Sequence, residues 1–221
     1  MLAGWGVADG RIAMADLPLT TTLLLDRLRR TWEGGESAWA EIDARYRPVL
    51  IGFTRSLGLS EADAEDAAQW TLAEFSRGLR GGQYERGKGR LRSWVMGIAR
   101  HRVEMIRRSV GRRPENKKVG GSGGVSPIEE RETPDAEGME AIWDREVERA
   151  VFEEAWRRVQ GRFAPESLRA FELVAMRGAS SAAAAAECGM NFEALYMAKS
   201  RVTKALREIA ADLTRRYGDD E

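Results

Sequence analysis

The stretch Ser180–Ile209, SSAAAAAECGMNFEALYMAKSRVTKALREI, decides how this chain is read. Ser180 can cap a short helix built on Ala182 to Ala186, and Gly189 supplies a break where a left-handed backbone is cheap. Asn191 can cap a second helix. In that helix Phe192, Leu195, Ala198, Val202, Leu206 and Ile209 recur at three- and four-residue steps, which predicts an inward apolar face. Glu193, Ala194, Tyr196, Met197, Ser200, Arg201 and Lys204 fall on the opposite face. A short helix, a glycine turn and a longer helix with a mixed polar and basic outer side is the pattern of a helix-turn-helix whose second helix enters a DNA major groove. The same pattern fits an αα-hairpin with no nucleic-acid partner, so the decision needs support from the rest of the chain.

Composition narrows the classes. At 221 residues there is room for one or two domains with apolar cores. No apolar run approaches the roughly 20 residues of a membrane span, and the start, MLAGWGVADGRIAMADLP, lacks a basic region followed by an apolar one. Cys188 is the single cysteine and His101 the single histidine, which leaves no disulfide framework and no Cys/His metal cage. A cytoplasmic chain without a cofactor is the expectation. Formal net charge is zero, but its distribution is uneven. Tyr84–Lys118 holds twelve Lys and Arg against three Glu, a net of +9, whereas Glu129–Glu154 holds eleven Asp and Glu against three Arg, a net of −8. Salt screens charges beyond about 8–10 Å, so the basic block can hold phosphates while the acidic block lies elsewhere.

Periodicity outlines the remainder. Residues 1–18 read as a mobile leader, and Leu19–Trp32 reads as a helix closed by Gly34-Gly35. A helix follows over 38–57, where Pro48 is expected to kink or split it near Arg47. Ser60-Glu61-Ala62-Asp63 has the form of a capping box and opens a helix to about Arg80. The loop Gly81 to Gly89 carries four glycines, and Leu91–Arg108 resumes as a helix with a basic exposed side. Gly and Pro with almost nothing large and apolar mark 111–138 as a flexible linker. Helical periodicity returns over Met139–Gln160 and Pro165–Arg177. With no strand pattern, the prediction is an all-α fold. Two helical domains, 19–110 and 139–217, are joined by that linker, and the second ends in the helix-turn-helix.

The runs RYRPVLIGFTRSLGLSEADAEDAAQWTLAEF (45–75) and QYERGKGRLRSWVMGIARHR (83–102), followed by the linker and the terminal helix-turn-helix, resemble the bacterial RNA polymerase sigma factors of the extracytoplasmic-function type. The resemblance covers most of 20–210. It implies a non-enzymatic specificity subunit whose partners are core RNA polymerase and promoter DNA. The first domain would bind the polymerase clamp and melt the −10 element, and the second would read the −35 element. An anti-sigma factor is a further partner that the family resemblance admits, with the leader and the acidic segment as places for it to dock.

Residue by residue, the resemblance puts Asp63, Glu65, Asp66 and Gln69 at the clamp. Acidic residues at a helix start also favour the positive dipole end without any partner. Trp70 stands where the family pattern usually has an acidic residue, which makes a core or interdomain role an equal reading. The −10 part matches Tyr84, Arg86, Lys88, Arg90 and Arg92, with Arg100, His101 and Arg102 on the following helix. Opening a duplex costs a few kcal/mol per base, which aromatic stacking and phosphate neutralisation can offset. Tyr84 suits either base stacking or anchoring of its loop, and Trp94 suits the core. In the −35 part Tyr196, Met197, Ser200, Arg201 and Lys204 face DNA, with Arg201 suited to a phosphate or to guanine O6/N7. Lys-Ser-Arg often stands in the family where Tyr196-Met197-Ala198 lie, so a distinctive promoter preference is expected. A free-standing helix-turn-helix regulator is the alternative.

Overall fold

The structure, a computed structural model, describes residues 35–111 and 134–217 together with Leu25 and Leu28. The leader 1–18, nearly all of the 19–32 helix and most of the 111–138 linker lie outside the described residues. Among those described there is no strand. Seven α-helices follow in order: α1 Gly35–Ser56, α2 Glu61–Arg80, α3 Leu91–Gly111, α4 Ala136–Gln160, α5 Pro165–Phe171, α6 Ser181–Cys188 and α7 Phe192–Tyr217. A 3-10 turn, Arg86–Lys88, interrupts the loop before α3, and a π turn, Glu172–Met176, prolongs α5.

Local chemistry explains the helix ends. Ser60 Oγ accepts from the Asp63 amide at 3.1 Å and donates to the Asp63 carboxylate at 2.7 Å, so the capping box starts α2 as its sequence predicts. Asp135 caps α4 by accepting from the Gly138 amide at 2.8 Å, and Ser180 caps α6 by accepting from the Ala183 amide at 3.2 Å. α6 stops at Gly189, whose φ of 62° and ψ of 30° are left-handed, and the Met190 amide reaches back to the Ala185 carbonyl at 2.9 Å. Asn191 then accepts from the Ala194 amide at 2.7 Å and opens α7.

Pro48 does not split the helix, and α1 continues through it from Gly35 to Ser56. Proline leaves the carbonyl four residues earlier without its usual donor. That residue is Ala44, which is exposed, so water can satisfy the group and the helix need not end there.

Packing forms three apolar clusters. The first joins α1, α2 and α3 through Ile42, Val49, Leu50, Phe53, Leu72, Phe75, Leu91 and Val103. The second joins α4 to α7 through Val151, Ala155, Val159, Val202, Leu206 and Ile209, with Phe171 of α5. The third, made of Ala170, Leu173, Ala184, Ala185, Leu195 and Ala198, holds α6 in the angle between α5 and α7. Fully buried alanines let these helices approach closely, as the alanine run suggests.

α4 belongs to two clusters. Its Trp143 and Ala150 sit in the first, while its residues from Val151 onward build the second. Trp143 is wedged against α1, edge-to-face with Phe53 at 5.6 Å and tilted against Tyr46 at 6.3 Å. One turn further along, the buried Glu146 carboxylate accepts from Ser56 Oγ at 3.1 Å and pairs with Arg149 at 2.9 Å. It lies over Gly52, where an added Cβ would stand 2.1 Å from its Oε2. The acidic segment therefore docks on the first helical unit, and the packing boundary does not coincide with the start of α4.

The end of α7 closes the same seam. Arg45 of α1, which is buried, donates to the Arg216 carbonyl at 2.5 Å, and the Tyr217 hydroxyl donates to the Arg45 carbonyl at 2.9 Å. Burial pushes the Tyr217 phenol up to about 12, although the Arg45 charge works the other way. Below about pH 10 the phenol is protonated in folded and unfolded chains alike, and its contribution is complete. Between about pH 10 and 12 only the unfolded phenol ionises, so stability falls across that window, by roughly 2–3 kcal/mol. Urea midpoints measured against pH should show this fall for the natural chain and a shallower one for Tyr217→Phe. Parallel curves would exclude Tyr217 as its source.

Candidate nucleic-acid interface

Three surfaces collect the residues singled out in the sequence. The first is the start of α2. Glu65, Asp66 and Gln69 are exposed along one side, free to meet a partner. Asp63 is half-buried and held by Ser60, so its first role is the helix cap, and it is set apart from the other three.

The second surface is the 81–90 loop with α3. Tyr84 is the clearest departure from the DNA-facing expectation. It is buried, and its ring stacks on Trp94 at 5.3 Å with 16° between planes, which makes it the anchor of the glycine loop. Trp94 in turn lies 5.5 Å from Phe75 and ties the loop to the α2–α3 core. Arg86 opens the 3-10 turn, Lys88 is exposed with a 2.9 Å ion pair to Glu85, and Arg90 is exposed just before α3.

On α3 the cations are unequal. Arg100 is exposed and pairs with Glu104 at 3.0 Å. Arg92 is half-buried and divides its guanidinium between Glu140 at 2.6 Å and Asp144 at 3.0 Å, both on α4. Arg102 lies over the Trp70 ring at 5.4 Å, and the exposed His101 lies 6.4 Å from that ring. Trp70 is thus half-buried on the α2–α3 seam. Trp70, Trp94, Gly97, Ile98 and His101 line a shallow groove there that sequence reading did not foresee. The signal was split between two helices whose pairing only packing reveals.

The third surface is the outer side of α7. Tyr196, Met197, Ser200, Arg201 and Lys204 are all exposed on one side, opposite the buried Leu195, Ala198, Val202, Leu206 and Ile209. Phe192 is a correction. Expected on the inward face, it is 63% exposed beside Tyr196 and Met197. It lies at the edge of the apolar stripe, and the α6–α7 turn carries it past the small alanine-lined cluster beneath. Among the described residues no acidic group stands within ion-pair distance of Arg201, and Lys204 has only Glu208 at 4.0 Å.

The described residues contain no group of three or more His, Cys, Asp or Glu placed to hold a metal, and no helix long and apolar enough to cross a membrane. α1 from its second turn, α2, the glycine loop and α3 together make one continuous unit. Residues 42–113 match the family model Sigma-70 region 2. The matched segment is about a third of the chain and takes in most of the first apolar cluster and the basic helix, while Trp143 and Ala150 of that cluster lie outside it. A sigma-70 region 2 match supports a sigma factor role in transcription initiation. No curated protein matches the chain.

Proposed function

We propose that the chain is an RNA polymerase sigma factor of the extracytoplasmic-function type: a non-catalytic cytoplasmic subunit that binds core enzyme and directs it to promoters. The sigma-70 region 2 match over 42–113 carries this reading. Exposed Glu65, Asp66 and Gln69 are the polymerase-facing group, with Asp63 holding the helix that presents them. Arg86, Lys88, Arg90, Arg92, Arg100, His101 and Arg102 are the group proposed to meet the −10 strand, and Tyr84 fixes their loop from beneath. The outer side of α7 reads the −35 duplex, the role its capped, glycine-turned helix pair suits. The region 2 match disfavours a free-standing regulator, which would not need that unit. An anti-sigma factor remains a proposed partner at the acidic segment or the leader.

The deciding experiment mixes the full chain with bacterial core RNA polymerase and measures co-purification and promoter-specific run-off transcription. Core binding with run-off from selected promoters is expected. Tight duplex binding with no affinity for core would replace the reading by the regulator.

One contact bears on how DNA gains access. Arg92 can meet a phosphate only if Glu140 and Asp144 release it. Ion pairs near a surface are worth about 0–1 kcal/mol each, so freeing the half-buried Arg92 with Glu140→Gln and Asp144→Asn should tighten promoter binding by the holoenzyme about two- to fivefold. An unchanged or weaker affinity for a promoter fragment in a filter-binding titration would show that Arg92 takes no part in DNA binding.

A further inference from the structure

Six large apolar side chains are well exposed among the described residues, and three of them, Phe192, Tyr196 and Met197, fall within six consecutive positions at the start of α7. Tyr196 is 71% exposed and Met197 50%. This is the end of the helix whose residues reach base edges when such a helix lies in a major groove. The side chains that follow on the same side are cationic. Arg201, Lys204 and Arg207 are exposed, and a shallow concavity runs from Tyr196 past Ser200 to Lys204 and Arg207.

The chemistry of the two ends differs in what it can recognise. In the major groove only thymine presents a methyl group, and apolar side chains read it by contact, whereas guanine O6 and N7 need donors such as a guanidinium. The first two turns of α7 hold no arginine, and Lys199 there is half-buried beside the apolar stripe. Asn191, the nearest amide side chain, is engaged as the helix cap. A protein partner would be met equally well by an apolar patch alone. The row of cations one to three turns beyond it matches phosphates at the groove edge.

We propose that Tyr196 and Met197 read thymine methyl groups, so that the upstream promoter element recognised by this chain has an A·T-containing centre, with Arg201, Lys204 and Arg207 on flanking phosphates. This rests on the assignment of α7 to the −35 duplex and names the base chemistry it selects. Phe192 borders the patch and widens the apolar contact.

The probe is a promoter library with a randomised upstream element, selected by the full chain bound to core polymerase. The recovered sequence is then resynthesised with uracil in place of thymine, which removes only the methyl groups. Thymine-containing elements should be enriched, and uracil should weaken holoenzyme binding by roughly three- to tenfold. Tyr196→Ser with Met197→Ser should abolish that difference while core binding, measured by co-purification, is retained. An enriched element that binds equally well with uracil overturns methyl reading but leaves α7 as the duplex reader. Recovery with no enriched upstream element, despite intact core binding, overturns both.

Discussion

Trp143→Ala is expected to detach α4 and the C-terminal helices from the first helical unit without unfolding that unit. Trp143 is 3% exposed and fills the space between Phe53 and Tyr46, both anchored on α1. Truncating a buried tryptophan costs about 3–5 kcal/mol, most of it here at a seam between helices rather than within the α1–α3 core. Separation should appear as an increased radius of gyration in small-angle scattering and as a two-step urea transition. Gly52→Ala probes the same seam from the other side. Alanine is the better helix former by about 1 kcal/mol, so α1 itself gains. Its Cβ would nevertheless drive the Glu146 carboxylate from its hydrogen bond with Ser56 and its ion pair with Arg149, and a flexible side chain that must move there leaves a buried charge less well satisfied. Both variants should therefore open the molecule while the near-ultraviolet signature of the α1–α3 unit persists. A compact Trp143→Ala protein with one transition would show that the seam is held elsewhere, with the Arg45–Arg216–Tyr217 contacts the next candidates.

Asp66→Lys and Arg201→Ala should fail in different assays. Asp66 is exposed on the face proposed for the clamp, and reversing its charge should weaken core binding more than tenfold, since opposed like charges at an interface cost several kcal/mol. It should leave the upstream element preference of the remaining holoenzyme unchanged. Arg201 is exposed and, among the described residues, without an acidic neighbour, so losing its charge-assisted bond to a phosphate should lower transcription from promoters that depend on the upstream element by about ten- to a hundredfold, the equivalent of roughly 1.5–3 kcal/mol, with core affinity intact. Co-purification with core enzyme and run-off transcription separate the two effects. Equal losses in both assays for both variants would dissolve the division of labour between α2 and α7.

How far each reading went depended on whether its signal was local. Ser60, Ser180, Gly189 and Asn191 each act within three or four residues of themselves, and all four sit where their chemistry put them. The 3.6-residue apolar rhythm likewise identified the inward face of α7 from Leu195 onward, and failed at Phe192 because a helix edge is settled by what lies beneath it. Tyr84 could stack on a base or anchor a loop by sequence alone; Trp94, ten residues away, took its ring. The linker-like composition of 111–138 says nothing about where the next helix docks, and the acidic charge of 129–154 did not disclose that Glu140 and Asp144 meet Arg92.

By itself, then, the sequence determined the described helices, their caps and turns, the inward stripe of α7 from Leu195 onward and the resemblance carried by 45–102, because each depends on neighbours along the chain. The tertiary structure alone decided that α4 lies in two cores at once, that Tyr84 is buried, and that Arg92 is held by carboxylates some fifty residues away. Those outcomes turn on which surfaces fit when helices far apart in sequence compete for the same apolar area and the same charge, and no local spacing encodes that competition.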